Sequence, residues 1–194
     1  MLLDPAEKRE MFAGLLGTGA PATAGLTLAL AASPGRIAEG AARPDLVVGF
    51  ATLSPWKDRR LVEILPGPSS APGAVAAAEL FFRRLGRDTA IVGNVPGGVF
   101  PRIFAMIVNE AAFALGEGVA SAEDIDIALR LGANYPDGPL TLARRAGPDV
   151  LMALLEGLHR ETGDERYRAA PHLRSLLAGG TAHGGASGGV TKGD

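Results

Sequence analysis

The sequence has no cysteine, few aromatic residues and no excess of charge of either sign. In a chain of 194 residues, the absence of cysteine excludes a disulfide scaffold, a thiolate metal site and a thiol nucleophile. Nineteen basic and 21 acidic residues give a net charge of −2, which argues against a nucleic-acid binder or an anionic-membrane binder. Aromatic residues make up 5% of the chain, so alanine, leucine and valine must form most of the core.

A long uncharged stretch, residues 11–35, is a candidate for a segment that enters a membrane. Its glycines and Pro21 interrupt the run before it reaches the ~20 apolar residues of a membrane helix. Three acidic residues, Asp4, Glu7 and Glu10, precede it, whereas a signal peptide begins with a positively charged segment. We therefore expect a helix, a turn and a buried strand here, in a cytoplasmic protein with no membrane partner.

Hydrophobic periodicity divides the chain into an α/β part and a helical part. We expect an α/β domain over residues 1–95, a helical domain over 96–180 and a flexible Gly-rich tail over 181–194. Short apolar runs predict strands over residues 24–30, 45–52, 60–65 and 89–92. Three- and four-residue spacing and capping patterns predict helices over residues 5–16, 34–42, 70–85, 99–115, 121–132, 148–162 and 171–177.

A glycine-containing segment is similar to part of a dinucleotide-binding fingerprint. Gly17 and Gly19 are followed by Ala22, and Glu39 lies near the distance of an acid that binds a ribose. That motif needs a strand before its first glycine and a helix after its last. Here a predicted helix precedes and Pro21 follows, so a plain loop is favoured over nucleotide binding.

The three histidines, His159, His172 and His183, have no partner at the spacing of metal ligands. We therefore expect no metal site. No serine lies in a nucleophile-elbow pattern, which disfavours a Ser–His–Asp triad.

Glu63 is the candidate for acid–base chemistry. It lies within the apolar run 61–65 and, by strand alternation, shares a face with Leu61 and Leu65. A carboxylate buried in a cleft suits proton transfer, whereas an edge-strand carboxylate facing solvent is structural; the pattern alone supports both equally. The remaining clustered acids are interpreted as helix-start and loop residues: Glu123, Asp124, Asp126, Glu161, Asp164 and Glu165.

Four stretches resemble the 3-hydroxyacyl-CoA dehydrogenase family. Residues 43–55 resemble the strand that ends in its G-x-H-F-F-N-P motif, and residues 61–64 resemble its K-L-V-E-[VI] run. Residues 96–111 resemble its P-G-F-[IV]-x-N-R and N-E-A motifs. The most specific match is the hallmark of the family's C-terminal domain, which residues 118–128, 138–140 and 163–167 resemble.

The resemblance implies an α/β remnant followed by an all-α half. It implies a partial Rossmann-type sheet, of three to five strands, packed on a 6-phosphogluconate-dehydrogenase-like C-terminal helical domain. The first half of the family's NAD-binding domain has no counterpart, and residues 1–42 match weakly. We therefore expect a truncated parallel sheet that begins near the family's fourth helix.

The resemblance also locates the departures from the family's chemistry. In the family a His takes the proton of the 3-hydroxyl group while hydride passes to NAD, and a Glu orients that His. Glu63 matches the Glu, whereas the position of the His is Ala51. Ser54 and Pro101 stand where the family has Asn, and Arg144 where it usually has Asp. No cofactor is therefore expected for this chain alone.

Two functions from different classes follow. The first is a non-catalytic relative that forms a homodimer and binds an acyl-CoA or another protein, favoured because the helical motifs are intact and the chemical ones altered. The alternative is an NAD-dependent 3-hydroxyacyl-CoA dehydrogenase subunit of fatty-acid metabolism, completed by a separate NAD-binding chain. Under the alternative, Glu63 is the one candidate catalytic residue, acting alone or with a base from the partner chain.

Overall fold

The computed structural model describes residues 4–15, 24–55, 59–171 and 173–174. Helices and strands alternate in the first half of these residues, and helices alone follow β4. The elements are α1 (Pro5–Leu15), β1 (Gly25–Leu28), α2 (Pro34–Ile37), β2 (Val47–Ala51), β3 (Leu61–Pro66), α3 (Pro72–Arg84), β4 (Asp88–Ile91), α4 (Phe100–Gly116), α5 (Ala122–Gly132), α6 (Pro139–Ala146) and α7 (Pro148–Thr162).

The four strands form one sheet in the order β1-β2-β3-β4. β1 is parallel to β2 and β3 is parallel to β4, but β2 and β3 are antiparallel, with Ala51 opposite Glu63. The sheet is thus mixed, and the expectation of a parallel sheet is wrong for the β2–β3 pair. The connection over residues 52–60 is shorter than the roughly dozen residues that a parallel crossover needs.

The two faces of the sheet bury different cores. Val48, Val62 and Ile64 pack with Ala78 and Phe82 of α3 on one face. The alternate positions of β2 and β3 face the other side, where they join a larger core built with the helices. That core includes Val47, Ala51, Leu65, Phe104, Leu140, Leu151, Leu154, Leu155 and Leu158, among other buried residues. The expected partial Rossmann-type sheet followed by a helical half is confirmed.

α7 packs directly on the backbone that follows β1. A Cβ atom at Gly157 would lie 2.3 Å from the carbonyl oxygen of Ala31, so only glycine permits this approach. Ala31 and Ala32 are buried beneath the helix. The carboxyl end of β1 is therefore covered by protein.

Most predicted elements are present to within two residues at either end; one predicted helix is shorter, and one helix is additional. α6 was not predicted from the sequence. α2 is a single turn rather than a helix to residue 42, because the chain adopts a positive φ of 79° at Gly40. The predicted helix over 171–177 lies largely outside the described residues, and so does the Gly17–Gly19–Ala22 segment. Within the described part of the chain, no helix is long and apolar enough to cross a membrane.

Candidate functional site

The carboxylate of Glu63 lies at the start of α4. Its Oε2 accepts a hydrogen bond from the backbone N–H of Val99 at 2.6 Å, and its Oε1 accepts one from Phe100 at 2.7 Å. These two donors lack partners within the helix, and the helix N-terminus favours a negative charge. Glu63 is 4% exposed, so it is buried rather than an edge-strand acid facing solvent.

Two glycines before α4 permit this contact. Gly98 has a φ of 67°, and a Cβ atom there would lie 2.0 Å from Oε2 of Glu63. Gly97 has a φ of 73°, and its Cβ would lie 2.4 Å from Cδ1 of Leu154. Glycine adopts positive φ without strain, so this turn brings α4 against β3 on one side and α7 on the other.

A cavity of about 320 Å³ opens beside Glu63. Three of the positions that the family resemblance links to chemistry, Ala51, Glu63 and Pro101, meet in its wall. Ser54 is exposed and is not part of that wall, and Arg144 lies on α6. The full lining consists of Ala51, Thr52, Arg59, Arg60, Leu61, Glu63, Phe100 and Pro101.

Arg59 is a functional candidate that the sequence reasoning missed. Its guanidinium carbon lies 5.3 Å from the centroid of the Phe100 ring, and its Nε is buried with no hydrogen-bond partner. Its carbonyl oxygen accepts a hydrogen bond from Nη1 of Arg87. The only signal in the sequence was a pair of arginines directly before an apolar strand. The second, Arg60, is exposed and lies 3.2 Å from Asp88.

The groups around the cavity suit binding better than proton transfer. Both oxygens of Glu63 already accept backbone hydrogen bonds, and the methyl group of Ala51 can neither accept nor donate a proton. Leu61, Phe100 and Pro101 add apolar surface. The arrangement offers an apolar wall with one guanidinium whose Nε lacks an acceptor.

The described residues do not fit NAD, the cofactor that the family resemblance implies. A dinucleotide cradle needs a strand, a glycine-rich turn and the N-terminus of a helix at the carboxyl end of a parallel strand. Beyond β1, Ala31 is instead packed against Gly157 of α7. Beside β2, Pro34 lies so close that a Cβ at Gly49 would be 2.4 Å from its ring. The described residues at the carboxyl end of β1 therefore form no open turn that could hold a pyrophosphate.

Residues of the hallmark run hold the helical half together. The carboxylate of Asp126 accepts hydrogen bonds from the backbone N–H groups of Leu140 and Thr141, at 2.8 and 3.0 Å, and from the hydroxyl group of Thr141 at 2.7 Å. It thereby caps α6, whose own N-cap, Gly138, has no side chain to do so. Arg144 lies 4.0 Å from the same carboxylate. Asp126 is thus a structural residue, but it caps α6 and does not lie at the start of its own helix.

Asn109 fixes the chain after α7. Its Nδ2 donates to the carbonyl oxygen of Arg168 at 3.0 Å, and its Oδ1 accepts from the N–H of Ala170 at 2.7 Å. The side chain is buried, and both halves of its amide are satisfied. Arg102 donates to the hydroxyl group of Tyr167 in the same segment. These contacts show the motif residues of α4 in structural roles.

The other sequence candidates are not brought to the cavity. Nδ1 of His159 lies 3.2 Å from the carbonyl oxygen of Asp164, and Glu161 accepts a hydrogen bond from the N–H of Ser33 at 2.8 Å. His172 and His183 lie outside the described residues. In the part of the chain that the structure describes, no three histidine or acidic residues are grouped as metal ligands.

Comparisons with known proteins agree with the fold. The family model for the 3-hydroxyacyl-CoA dehydrogenase C-terminal domain matches residues 97–192. A probable 3-hydroxybutyryl-CoA dehydrogenase of Bacillus subtilis is 34% identical over 138 residues, which cover 71% of this chain and 48% of that protein. The 3-hydroxyadipyl-CoA dehydrogenase of Escherichia coli is 39% identical over 123 residues, which cover 62% of this chain and 26% of that protein.

A solved structure extends the similarity into the sheet. The (S)-3-hydroxybutyryl-CoA dehydrogenase of Ralstonia eutropha superposes with a TM-score of 0.76 at 34% identity, covering 89% of this chain and 61% of that one. This chain spans about half the length of the curated 3-hydroxybutyryl-CoA dehydrogenases that it matches. The sequence comparisons and the superposition agree, and the chain belongs to the 3-hydroxyacyl-CoA dehydrogenase family.

Proposed function

We propose that this chain is a non-catalytic member of its family that binds acyl-CoA thioesters in the cytoplasm as a homodimer. The observation that carries the proposal is the pairing of Ala51 with Glu63 across β2 and β3. In relatives that oxidise a 3-hydroxyl group, the resemblance puts the proton-accepting His at position 51. General acid–base catalysis is typically worth 10²–10⁴-fold, and a methyl group provides none of it.

The cavity supports the binding half of the proposal. Its apolar wall of Ala51, Leu61, Phe100 and Pro101 suits an acyl chain, and the resemblance relates it to the reacting centre of family members named for hydroxyacyl-CoA substrates. A role in fatty-acid metabolism follows from further relatives, three of which carry the name fatty acid oxidation complex subunit alpha.

Exposed apolar residues support the proposed homodimer. Val99, Phe100 and Ile103 at the start of α4 are 49%, 42% and 54% exposed. They adjoin one another along one side of the first turns of the helix, and contiguous exposed apolar surface marks a site of association. Sedimentation of the chain should give the mass of a dimer, and Ile103→Glu should give a monomer that still binds ligand.

Calorimetry with acetoacetyl-CoA tests the proposal directly. We expect saturable binding by the wild-type chain, and no consumption of NADH when it is added. A titration without heat, combined with a monomeric mass, would remove both parts of the proposal. Oxidation of NADH by the chain alone would show that position 51 is not needed for turnover.

The alternative is a dehydrogenase subunit completed by a separate NAD-binding chain. It is favoured by Glu63, which matches the family's Glu, and by β1, which pairs only with β2 among the described strands. A further strand added at β1 would extend the sheet in parallel. The test mixes this chain with the NAD-binding half of the Bacillus subtilis relative and acetoacetyl-CoA. NADH oxidation that requires both chains and Glu63 would favour the alternative. If no NADH is oxidised, the non-catalytic role is favoured.

A further inference from the structure

We propose that the cavity between β2, β3 and α4 takes a carboxylate at the far end of an acyl chain, with Arg59 as its ligand. The inference rests on the proposed binding of acyl-CoA thioesters and adds to it a chemical class, the dicarboxylic acyl groups.

Arg59 is a cation without a partner in the described part of the chain. Its Nε is buried and donates no hydrogen bond, and its side chain forms no ion pair with any described carboxylate. A buried charged donor that lacks an acceptor is unfavourable. An anionic group at the part of the cavity wall that Arg59 forms would offset its charge.

The position of the guanidinium is set by two contacts. Its carbon lies 5.3 Å from the centroid of the Phe100 ring, which is within the range of a cation–π contact. The backbone of the residue is held by Arg87, whose Nη1 donates to the carbonyl oxygen of Arg59. A guanidinium held in this way loses little conformational freedom when it binds a ligand.

The other charges at the cavity are already used. Glu63 is bound by the N–H groups at the start of α4, and Arg60 lies 3.2 Å from Asp88 on the surface. One guanidinium that has no acidic partner among the described residues, set in an apolar wall, matches an aliphatic chain that ends in a carboxylate. The planar N–H pair of arginine binds both oxygens of such a group. A phosphate, with more charge and a larger hydration shell, would require more than one cation.

The experiment compares acyl-CoA pairs that differ only in the terminal carboxylate. Glutaryl-CoA is titrated against butyryl-CoA, and adipyl-CoA against valeryl-CoA, into the full chain by calorimetry. We expect the carboxylate to tighten the dissociation constant about tenfold or more in the wild type. Arg59→Gln should reduce that ratio to near one. Arg59→Lys, which keeps the charge and loses the paired donors, should give an intermediate ratio.

Arg130→Gln is the matched control, because Arg130 is exposed on α5 and does not line the cavity. Its ratio should equal that of the wild type. Equal affinities for both members of a pair in the wild type, or a ratio that persists in Arg59→Gln, would overturn the role of Arg59 while leaving acyl-CoA binding intact. Failure of all four thioesters to bind would overturn acyl-CoA binding itself, and this inference with it.

Discussion

The carboxylate of Glu63 lies 2.6 Å from the backbone nitrogen of Val99, where it accepts one of the two hydrogen bonds that fix α4 to the sheet. A residue that the sequence marked as a catalytic candidate is therefore a helix cap in this chain. The two roles need different freedom, because both oxygens of a capping carboxylate are held by backbone N–H groups, whereas a general base needs an oxygen free to accept the proton of the substrate.

Glu63→Gln should destabilise the fold. The amide has one oxygen acceptor, and its NH₂ group would face a backbone N–H that also needs an acceptor. We expect a loss of about 1–3 kcal/mol in the free energy of unfolding, measured with urea. Glu110→Gln, on the exposed side of the same helix, should stay within about 0.5 kcal/mol of the wild type. Equal stabilities for the two variants would show that the cap contributes nothing.

Gly98→Ala separates close contact from backbone strain. Gly98 and Gly118 have φ values of 67° and 72°, so alanine is strained at either position. A Cβ at 98 would meet Glu63, whereas one at 118 would meet no atom within 4 Å. We expect Gly98→Ala to cost about 2 kcal/mol more than Gly118→Ala in thermal or urea unfolding. A smaller loss at 98 than at 118 would contradict the described approach of α4 to β3.

Asp126→Asn should loosen α6. The carboxylate accepts three hydrogen bonds from the start of that helix, and an asparagine oxygen can replace only part of them. A loss of about 1–2 kcal/mol in unfolding free energy is expected, with faster amide exchange confined to residues 139–146. Glu123→Gln, exposed at the start of α5, is the control. Unchanged exchange in α6 would show that the helix forms without this cap.

Because of Lys8, the free energy of unfolding should rise with pH in the alkaline range. Burial in α1 lowers the pKa of its amino group from 10.5 to about 8. In the unfolded chain the ordinary pKa applies, so between pH 8 and 10.5 the unfolded state binds more protons. Stability contributed by this group therefore rises with pH across that window. The folded chain keeps Nζ near the carbonyl oxygen of Leu28, to which it donates.

Lys8→Met removes this titration. Between pH 7.5 and pH 10, the free energy of unfolding measured with urea should rise by about 1–2 kcal/mol more in the wild type than in the variant, after allowance for partial solvent access. Lys192→Met, in the predicted tail, should behave as the wild type. If the pH dependence of Lys8→Met equals that of the wild type, the amino group of Lys8 titrates normally in the folded chain.

Much of the fold could be predicted from local pattern. Alternation placed Glu63 on the same face as Leu65, and the structure confirms that this face lies against the helices. α6 could not be found in this way, because its cap is Asp126 from the preceding helix rather than a residue at its own start. A helix that depends on a distant side chain carries little local signal.

The candidate site was only partly predictable. The resemblance identified Ala51, Glu63 and Pro101, and the structure brings all three to one cavity. It gave no indication of Arg59, because a basic residue before a strand is typical of a solvated strand end. Its importance depends on burial of one nitrogen and on the Phe100 ring, a residue 41 positions further along the chain. Both are properties of packing between distant segments.

Titration of the chain with acetoacetyl-CoA, followed by addition of NADH, shows whether the protein binds the thioester without reducing it. We expect saturable heat on the first addition, and neither binding nor oxidation of NADH afterwards. NADH oxidation by the chain alone would contradict this expectation, since the described residues at Ala51 and Glu63 would then support hydride transfer without the family's histidine.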